Sequence, residues 1–366
     1  MSARLRKGLQ FVGFLSIGVA ILAFVFHRQN AAYREQCALD GVPADECSLI
    51  GKLAADLATV NYWWLLALLA IFMVSNYFRT VRWQQLIEPL GRRVSLGNAF
   101  WSVMIGYFAN LGFPRAGEVV RAGVLARYEG VAVERVMGTV VLDRLLDVVC
   151  LLAVMGVAFV VQWETLSAFV ADARAGAGGG GGVLGYLVLA AATGLLLLGV
   201  AWYMFRRYRH VALVRRVSAL VAGFADGLRS VARVRNKPAL ALNTLGIWGC
   251  YFLMAYVPFF AFPPTAHLGV DAALMVFVFS ALGIVIPSPG GLGSYHLMVI
   301  QALAIYNVDG ADALSFANIL FFTVNLGCNI LFGLLGLAVL PMLNAGKRVS
   351  LADAAGVESE ARAEPA

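Results

Sequence analysis

Apolar runs of about twenty residues recur along this chain, and that is the length an α-helix needs to cross the hydrocarbon core of a bilayer. The runs follow one another with short connections, in a sequence that is 61% hydrophobic and only 13% charged. Because nearly all of the chain is used in this way, no separate soluble catalytic domain fits. The sequence therefore predicts an all-α polytopic integral membrane protein.

About six of the apolar runs are uninterrupted and predict spanning helices. We interpret the first as a retained helix rather than a signal peptide. Its apolar run approaches full spanning length, and the residues after it offer a poor cleavage site. The predicted spans cover residues 8–26, 61–78, 136–162, 183–205, 238–262 and 314–340.

Two further apolar regions, about 95–128 and 270–306, are broken near the middle by proline and glycine. Each break predicts two half-helices joined by a turn, because proline removes a donor and glycine permits a sharp reversal. If both regions turn back, the basic clusters, including Arg79 and Arg82, gather on the cytoplasmic face, as the positive-inside bias favours. We therefore predict two re-entrant hairpins, about eight helical units in all, and cytoplasmic termini.

The two hairpins follow spans in opposite halves of the chain and would enter from opposite faces. Broken helices in corresponding halves are typical of transporters with an inverted repeat, although segment order is the only sign of a repeat here. We predict one transmembrane domain over residues 1–346 and a polar cytoplasmic tail over 347–366. The basic stretch 206–237 is predicted to form a helix along the inner membrane surface.

The first hairpin carries charge where an apolar helix would continue. In "GFPRAGEVVR", Arg115, Glu118 and Arg121 are spaced by three, so Glu118 can pair with either arginine on a helix. Unpaired charges at membrane depth are costly, which predicts that this group faces protein or a wet cavity. The alternative is a surface loop whose charges are solvated.

A second charged group follows in "VVLDRLLDVV", which contains Asp143, Arg144 and Asp147. Asp143 and Asp147 are four residues apart and share a helix face, and Arg144 can pair with Asp147. The simplest hypothesis is that this group meets the charges of the first hairpin. A purely structural ion network explains the same residues.

The second hairpin contains "PSPGGLGSYH", in which glycines precede a helix that we predict to begin near Leu292. Successive backbone N–H groups and a helix N-terminus suit an anion. The alternative is a re-entrant turn that binds no ligand. On the last span Asn325 can line the same cavity or hydrogen-bond between helices. The candidate ligand groups are the backbone of Gly290, Gly291 and Gly293 and the side chains of Ser294, Tyr295 and His296.

Taken together, "GFPRAGEVVRAGVL", "TVVLDRLLDVV" and "PSPGGLGSYH" in this order resemble the lysylphosphatidylglycerol synthase transmembrane, or flippase-like, family of bacteria and archaea. The resemblance covers about Leu9 to Leu343 and implies a lipid-translocating domain of the cytoplasmic membrane. In the best-known members a soluble aminoacyl-transferase domain follows. Here the chain ends shortly after Lys347, so we expect no lysyl transfer. The matching positions are Arg115, Gly117, Glu118, Arg121, Asp143, Arg144, Asp147, Pro287, Gly290, Gly291, Gly293 and His296.

The sequence thus predicts a flippase-like transporter in which Arg115, Arg121 and the Gly290–Gly293 helix start hold an anionic or phosphate-containing lipid headgroup. No GxxxxGK(S/T) loop is present, and we expect neither a nucleotide motor nor any metal or other cofactor. Two alternatives stay open. One is a membrane-embedded transferase with Glu118 or His296 as general base, and the other is a partner subunit that does not transport.

The expected partners are anionic membrane lipids, together with a second copy of the chain or a separate lipid-synthesising enzyme. We attribute the net charge of +7 to contact with the anionic inner leaflet of the membrane. We expect the protein to bind no nucleic acid. Cys37 and Cys47 lie in the first predicted outside loop and can form a disulfide if that side is oxidising.

Overall fold

The computed structural model describes most of the chain outside the residues near the two termini and residues 168–233. The described residues are 47–91, 93–112, 116–165, 167, 234–285 and 291–345, with 19, 22–24, 26–31, 33–35, 37–39 and 43 before them. The predicted span 183–205, most of the basic stretch 206–237 and the tail 347–366 lie outside these residues, as does most of the predicted span 8–26.

Throughout the described residues the regular secondary structure is helical, and no strand occurs among them. Short 3-10 turns follow two of the helices, at Glu88–Leu90 and Val257–Ala261, and a third lies at Pro263–Thr265. The α-helices with defined bounds are α1 Leu49–Thr59, α2 Tyr62–Ile87, α3 Leu96–Gly112, α4 Ala116–Glu129, α5 Val133–Val161, α6 Lys237–Tyr256, α7 Val270–Val285, α8 Ser294–Ala304, α9 Gly310–Leu320 and α10 Asn329–Leu343.

Local capping residues set several of these helix starts. The side chains of Ser48, Asn61, Asn236 and Asp309 each accept a backbone N–H from the first turn of the helix that follows. These are the residue types that satisfy the unpaired donors of a helix N-terminus. Their positions explain why α1, α2, α6 and α9 begin where they do.

Four helical stretches are long and apolar enough to cross a membrane: Tyr62–Leu90, Val133–Val161, Lys237–Ala261 and Gly310–Leu343. Each overlaps one of the predicted uninterrupted spans. The last stretch is continuous from α9 to α10 through a π-helical segment, Phe321–Cys328. These stretches confirm the prediction of an all-helical polytopic membrane protein; the total number of spans stays a prediction.

Both broken regions form pairs of short helices that pack against each other. α3 contacts α4, and α7 contacts α8. The longest of the four, α3, has 17 residues and is about 25 Å long at 1.5 Å per residue, less than a bilayer core of about 30 Å. The junctions at 113–115 and 286–290 lie outside the described residues, so re-entrance stays a prediction.

The chain divides into two compact units, Met1–Asp143 with Val234–Ala366, and Arg144–Arg233. In the first unit, α2 packs against α3 and α6, and α10 packs against α3. A buried apolar cluster contains residues of α2, α3, α4 and the π-helical segment, and it includes Trp83, Met104, Leu125 and Cys328. Of the second unit the structure describes the continuation of α5 and the few residues after it.

Candidate functional site

The first hairpin holds Glu118 and Arg121 close to its junction. The backbone N–H of Gly117, in the first turn of α4, donates to Asn110 Oδ1 of α3 at 2.7 Å. Gly106 and Gly117 face each other so closely that a Cβ on Gly117 would overlap the carbonyl oxygen of Gly106. This contact fixes α4 against α3 and sets the position of Arg121, one turn further along α4.

Arg121 joins two of the three carboxylates that the sequence singled out. Its Nη2 lies 2.9 Å from Glu118 Oε2 and 3.1 Å from Asp143 Oδ2. Arg121 is 2% exposed and Asp143 is fully buried, whereas the Glu118 side chain keeps 20% of its surface exposed. The two charged groups therefore meet through the contact of Arg121 with Asp143.

Two further arginines, predicted to lie on the cytoplasmic face rather than in the site, bind the same carboxylate. Arg82 reaches Asp143 Oδ1 with Nε at 2.9 Å and Nη2 at 2.6 Å, and Arg79 Nη1 lies 3.2 Å from Oδ2. Both arginines belong to α2 and are buried. We call Arg79, Arg82, Arg121, Asp143 and Glu118 the arginine cluster.

Aromatic side chains hold two of these guanidinium groups. Arg121 lies over the ring of Trp83, 5.1 Å from its centroid, and Trp83 Nε1 donates to Thr139 Oγ1 at 3.0 Å. Arg79 Nη2 donates to the Tyr251 hydroxyl of α6 at 2.6 Å. Aromatic faces attract guanidinium groups, most strongly where water is excluded. The cluster is thus oriented by α2, α4, α5 and α6 together.

The formal charges of the five side chains in the arginine cluster do not balance among themselves. Three guanidinium groups against two carboxylates leave one positive charge among these five side chains. Nε and Nη1 of Arg121 are buried and have no hydrogen-bond partner among the described residues. Because a buried donor is costly to leave unpaired, an anion that accepted from these two atoms would be stabilised.

Two further charged candidates lie on α5. Arg144 and Asp147 pair with each other on α5, with Nη1 and Oδ2 3.4 Å apart, in the second unit. Arg115 lies outside the described residues. The structure thus brings together Glu118, Arg121 and Asp143 from the predicted set.

The second hairpin brings Ser294, Tyr295 and His296 into a buried position. Helix α8 begins at Ser294, two residues later than predicted, after Gly291 and Gly293 with φ of 83° and 80°. The Ser294 hydroxyl donates to the Gly283 carbonyl at 2.7 Å, so it ties α8 to α7. Gly290 lies outside the described residues.

His296 contacts the last long helix. Its Nε2 lies 3.1 Å from Asn318 Oδ1, and its ring centroid lies 4.8 Å from that of Phe321, where the π-helical segment begins. Asn325 lies inside that segment, and its carbonyl accepts from Asn329 Nδ2 at 2.9 Å. These residues join the second hairpin to the helix Gly310–Leu343.

Arg79, Arg82 and Tyr251 are the site residues that sequence reasoning missed. The available signal was the spacing of three between the two arginines, which places them on one helix face just as it does Glu118 and Arg121. Both arginines follow an apolar run, and the positive-inside bias therefore predicts a position on the cytoplasmic face. Nothing local in the sequence of α6 indicates that Tyr251 reaches an arginine.

Cys37 and Cys47 are bonded to each other in a disulfide, whereas the buried Cys250 and Cys328 are free thiols. Among the described part of the chain, no group of three or more His, Cys, Asp or Glu side chains is arranged to hold a metal ion.

The family model described as "Lysylphosphatidylglycerol synthase TM region" matches residues 48–342. A protein of Haloferax volcanii described as "Glycosyltransferase AglD" is 26% identical over 312 residues, 75% of this chain and 47% of that protein. The chain therefore spans about half the length of that relative.

A second relative, from Methanothermobacter thermautotrophicus, is described as "UPF0104 membrane protein". It is 28% identical over 258 residues, which cover 64% of this chain and 73% of the relative. No solved structure matches. The family match covers well over half of the sequence and includes the whole described arginine cluster. This chain is an integral membrane protein that belongs to the lysylphosphatidylglycerol synthase transmembrane family.

Proposed function

We propose that this protein translocates a lipid with an anionic or phosphate-containing headgroup across the cytoplasmic membrane. The headgroup would pass through a polar intramembrane cavity while the acyl chains stay in the bilayer. The single observation that carries the proposal is the buried arginine cluster, placed beside the junction of a helical hairpin inside a membrane protein. Ionisable residues within membrane spans are rare, and they commonly mark substrate or ion pathways.

Arginine chemistry suits a phosphate. A guanidinium group stays charged at any physiological pH and offers a planar fork of donors that matches phosphate oxygens. Arg121 has two donor atoms without a partner among the described residues, on a side chain already fixed by Trp83 and Glu118. A phosphate oxygen at these atoms would accept from donors that the described residues leave unused.

The cluster is closed in this conformation, because Arg79, Arg82 and Asp143 are each at most 1% exposed. A headgroup reaches Arg121 only if helices around it separate. Glu118 is the most exposed member and is therefore the first that an entering headgroup would meet. In this mechanism the carboxylates hold the arginines in place while the headgroup is absent, and the headgroup competes for Arg121 when it arrives.

The proposal includes an orientation of the protein in the membrane. The Cys37–Cys47 disulfide precedes α2, and disulfides persist in oxidising compartments, which supports an outward-facing start of α2. Both termini then lie in the cytoplasm. The family description and the relative from Haloferax volcanii name enzymes, a synthase and a glycosyltransferase. By analogy this chain would serve a separate lipid-synthesising enzyme, alone or as a homo-oligomer.

The test is headgroup translocation in proteoliposomes, with fluorescent lipids and a membrane-impermeant quencher. The site variants are Arg121→Gln and Glu118→Gln, and the matched controls are Arg127→Gln on the same helix and Glu134→Gln on α5, both of them exposed. We expect wild type and controls to accelerate the loss of protected fluorescence of an anionic lipid. Each site variant should lower the accelerated rate by about tenfold or more.

Failure of the folded wild-type protein to accelerate anionic, zwitterionic and polyprenyl-linked probes would contradict the proposal. Equal rates in site variants and controls would show that lipid moves by another route.

A second candidate function is lipid modification by a membrane-embedded transferase. The observation that favours it is the similarity to a protein described as a glycosyltransferase. Glu118 or His296 would then act as a general base. Turnover of a radiolabelled sugar or aminoacyl donor by the purified chain would distinguish this function, since translocation consumes no donor.

A further inference from the structure

The short helix α1 turns its charged side chains toward the protein. Lys52 and Asp56 are the two charged residues of its sequence, "LIGKLAADLAT". Lys52 Nζ lies 2.5 Å from Asp312 Oδ1 of α9. Asp56 accepts a hydrogen bond from Ser315 of the same helix. The Lys52 and Asp56 side chains are only 20% and 14% exposed, so the polar side of α1 packs against α9.

The exposed side of α1 carries no charge. Ile50 is 67% exposed and Leu57 is 49% exposed. The exposed residues of α1 are Ile50, Gly51, Ala54, Ala55, Leu57, Ala58 and Thr59. Positions 50, 54, 57 and 58 are spaced by three and four along the chain, so they form one apolar helix face. A surface helix in water has the opposite arrangement, with its charged face outward, and α1 is therefore patterned for apolar surroundings.

Helix α1 is too short to cross a bilayer. Its 11 residues span about 16 Å, against a hydrocarbon core of about 30 Å. The next helix, α2, has 26 residues and spans about 39 Å by itself. Because α2 is longer than the core is thick, it crosses without α1 and begins at the level of the lipid headgroups.

The start of α2 has the composition of a membrane–water interface. Tyr62, Trp63 and Trp64 are 60%, 79% and 39% exposed. Tyrosine and tryptophan concentrate where headgroups meet hydrocarbon, because their rings are apolar and carry a polar group. The Tyr62 hydroxyl donates to the Leu57 carbonyl at 2.9 Å, which holds the end of α1 beside these aromatic residues. Helix α1 therefore ends at the level of the interface.

The last carbonyl groups of α1 find donors within the chain. Besides the bond from Tyr62 to Leu57, the Asp56 carbonyl accepts from Thr59 Oγ1 at 2.8 Å. The last four carbonyls of a helix have no intrahelical partner, and an unpaired carbonyl is most costly where water is scarce. Hydroxyl donors on two of these four carbonyls suit a helix end that lies against lipid.

We propose that α1 is an interfacial helix, which lies in the membrane surface at which α2 begins and buries Ile50 and Leu57 at the boundary between headgroups and acyl chains. Its partner is the lipid surface itself, because the apolar face of α1 is continuous with the exposed aromatic residues that begin the spanning helix α2. The opposite, polar side of α1 anchors the start of α9 to this surface. The inference does not depend on lipid translocation.

A fluorophore attached to α1 in liposomes tests this position. The variants are Ile50→Cys and Leu57→Cys in the full chain, each with Cys150→Ser and labelled with a polarity-sensitive maleimide. The thiols of Cys250 and Cys328 are buried and are not expected to react. Because both substituted side chains are exposed, the unlabelled variants should keep the unfolding temperature of wild type.

Two labelled positions serve as matched controls. Val74→Cys lies in the middle of α2, where the side chain is 47% exposed, and reports the hydrocarbon. Arg93→Cys lies in the connection between α2 and α3, is exposed and reports water. The quenchers are iodide in the aqueous phase and phosphatidylcholine with a doxyl group either near the headgroup or near the end of the acyl chain.

We expect the labels at positions 50 and 57 to lose the iodide quenching that the Arg93→Cys label shows. They should be quenched more strongly by the shallow doxyl group than by the deep one, since an interfacial helix enters only the outermost part of the acyl region. The Val74→Cys label should have the opposite depth preference.

Iodide quenching at positions 50 and 57 equal to that of Arg93→Cys would place α1 in water and overturn the inference. Protection from iodide and from both doxyl lipids would overturn it as well, because another protein surface, such as a second copy of the chain, would then cover α1. Stronger quenching by the deep doxyl group would place α1 within the hydrocarbon core and would equally contradict an interfacial position.

Discussion

Asp143 is the residue on which the arginine cluster depends. Its Oδ1 accepts both Nε and Nη2 of Arg82, and its Oδ2 is shared between Arg79 and Arg121. A single carboxylate thus compensates guanidinium groups from two different helices, with Glu118 as the second anion. Burial makes this arrangement costly to assemble but also costly to break, because each remaining charge would lack a partner.

We predict that Asp143→Asn destabilises the folded protein by about 3–5 kcal/mol, the range for removal of one member of a buried ion network. The measurement is the unfolding temperature of the purified protein in detergent. Glu134→Gln is the control, because Glu134 lies on the same helix and is exposed. An Asp143→Asn protein as stable as this control would mean that the arginines are neutralised in another way.

At the level of helices, the close contact of α3 with α4 positions the cluster. Gly106 lies against the backbone of Gly117 and the Cβ of Arg121, so the absence of side chains at both glycines lets the two helices approach. Small residues have this role at many helix interfaces in membranes. Any separation of these helices would move Arg121 away from Asp143.

The corresponding prediction concerns Gly117→Ala. The added Cβ would overlap the Gly106 carbonyl, and we expect a loss of about 1–3 kcal/mol in stability together with weaker lipid translocation. The control is Gly123→Ala on the same helix, where nothing lies within 4 Å of the added atom. Since alanine is the better helix former, that variant should be neutral or gain up to about 1 kcal/mol. Equal unfolding temperatures for both variants would argue against a close contact.

The long helix Gly310–Leu343 is held by polar contacts at both ends. Near its start, Asp312 binds Lys52 Nζ, and Ser315 donates to Asp56 of α1. Just beyond its end, Asn344 and Asn98 exchange amide hydrogen bonds at 2.7 and 3.2 Å. At 1.5 Å per residue the helix is about 50 Å long, which exceeds the full thickness of a bilayer.

The contact at the start of this helix gives a prediction for pH. Burial of the Lys52 amine opposes its charge, but hydrogen bonds and charges from Asp312 and Asp56 outweigh burial and raise the pKa of Lys52 from 10.5. A raised pKa in the folded state means that the stabilisation is complete below the unfolded value. It is lost as the pH rises through the folded pKa.

We therefore expect Lys52→Gln to be less stable than wild type at neutral pH, by about 1 kcal/mol or less because the pair is partly exposed. The gap in unfolding temperature should close as the pH is raised above 10.5. Lys237→Gln, at the exposed start of α6, serves as control for general alkaline effects. A gap that persists through the alkaline range would show that Lys52 stabilises the fold without its charge.

Much of the helical framework could be predicted because its signals are local. The apolar runs at 61–78, 136–162, 238–262 and 314–340 each correspond to a long apolar helix. The breaks at Pro114 and at the glycines before Ser294 separate helices of the predicted hairpins. The pairing of Glu118 with Arg121 follows from a spacing of three on one helix, which the chain itself fixes.

What the sequence by itself determined is therefore the membrane environment, the helices and the charged positions within them, since these depend on length, hydropathy and spacing of neighbouring residues. Only the tertiary structure decided that Arg79 and Arg82 bind Asp143, more than sixty positions away, and that Tyr251 of α6 joins them. Such contacts arise when helices pack, because a buried carboxylate is stable only where packing brings cations to it, and no local periodicity encodes which helix supplies them.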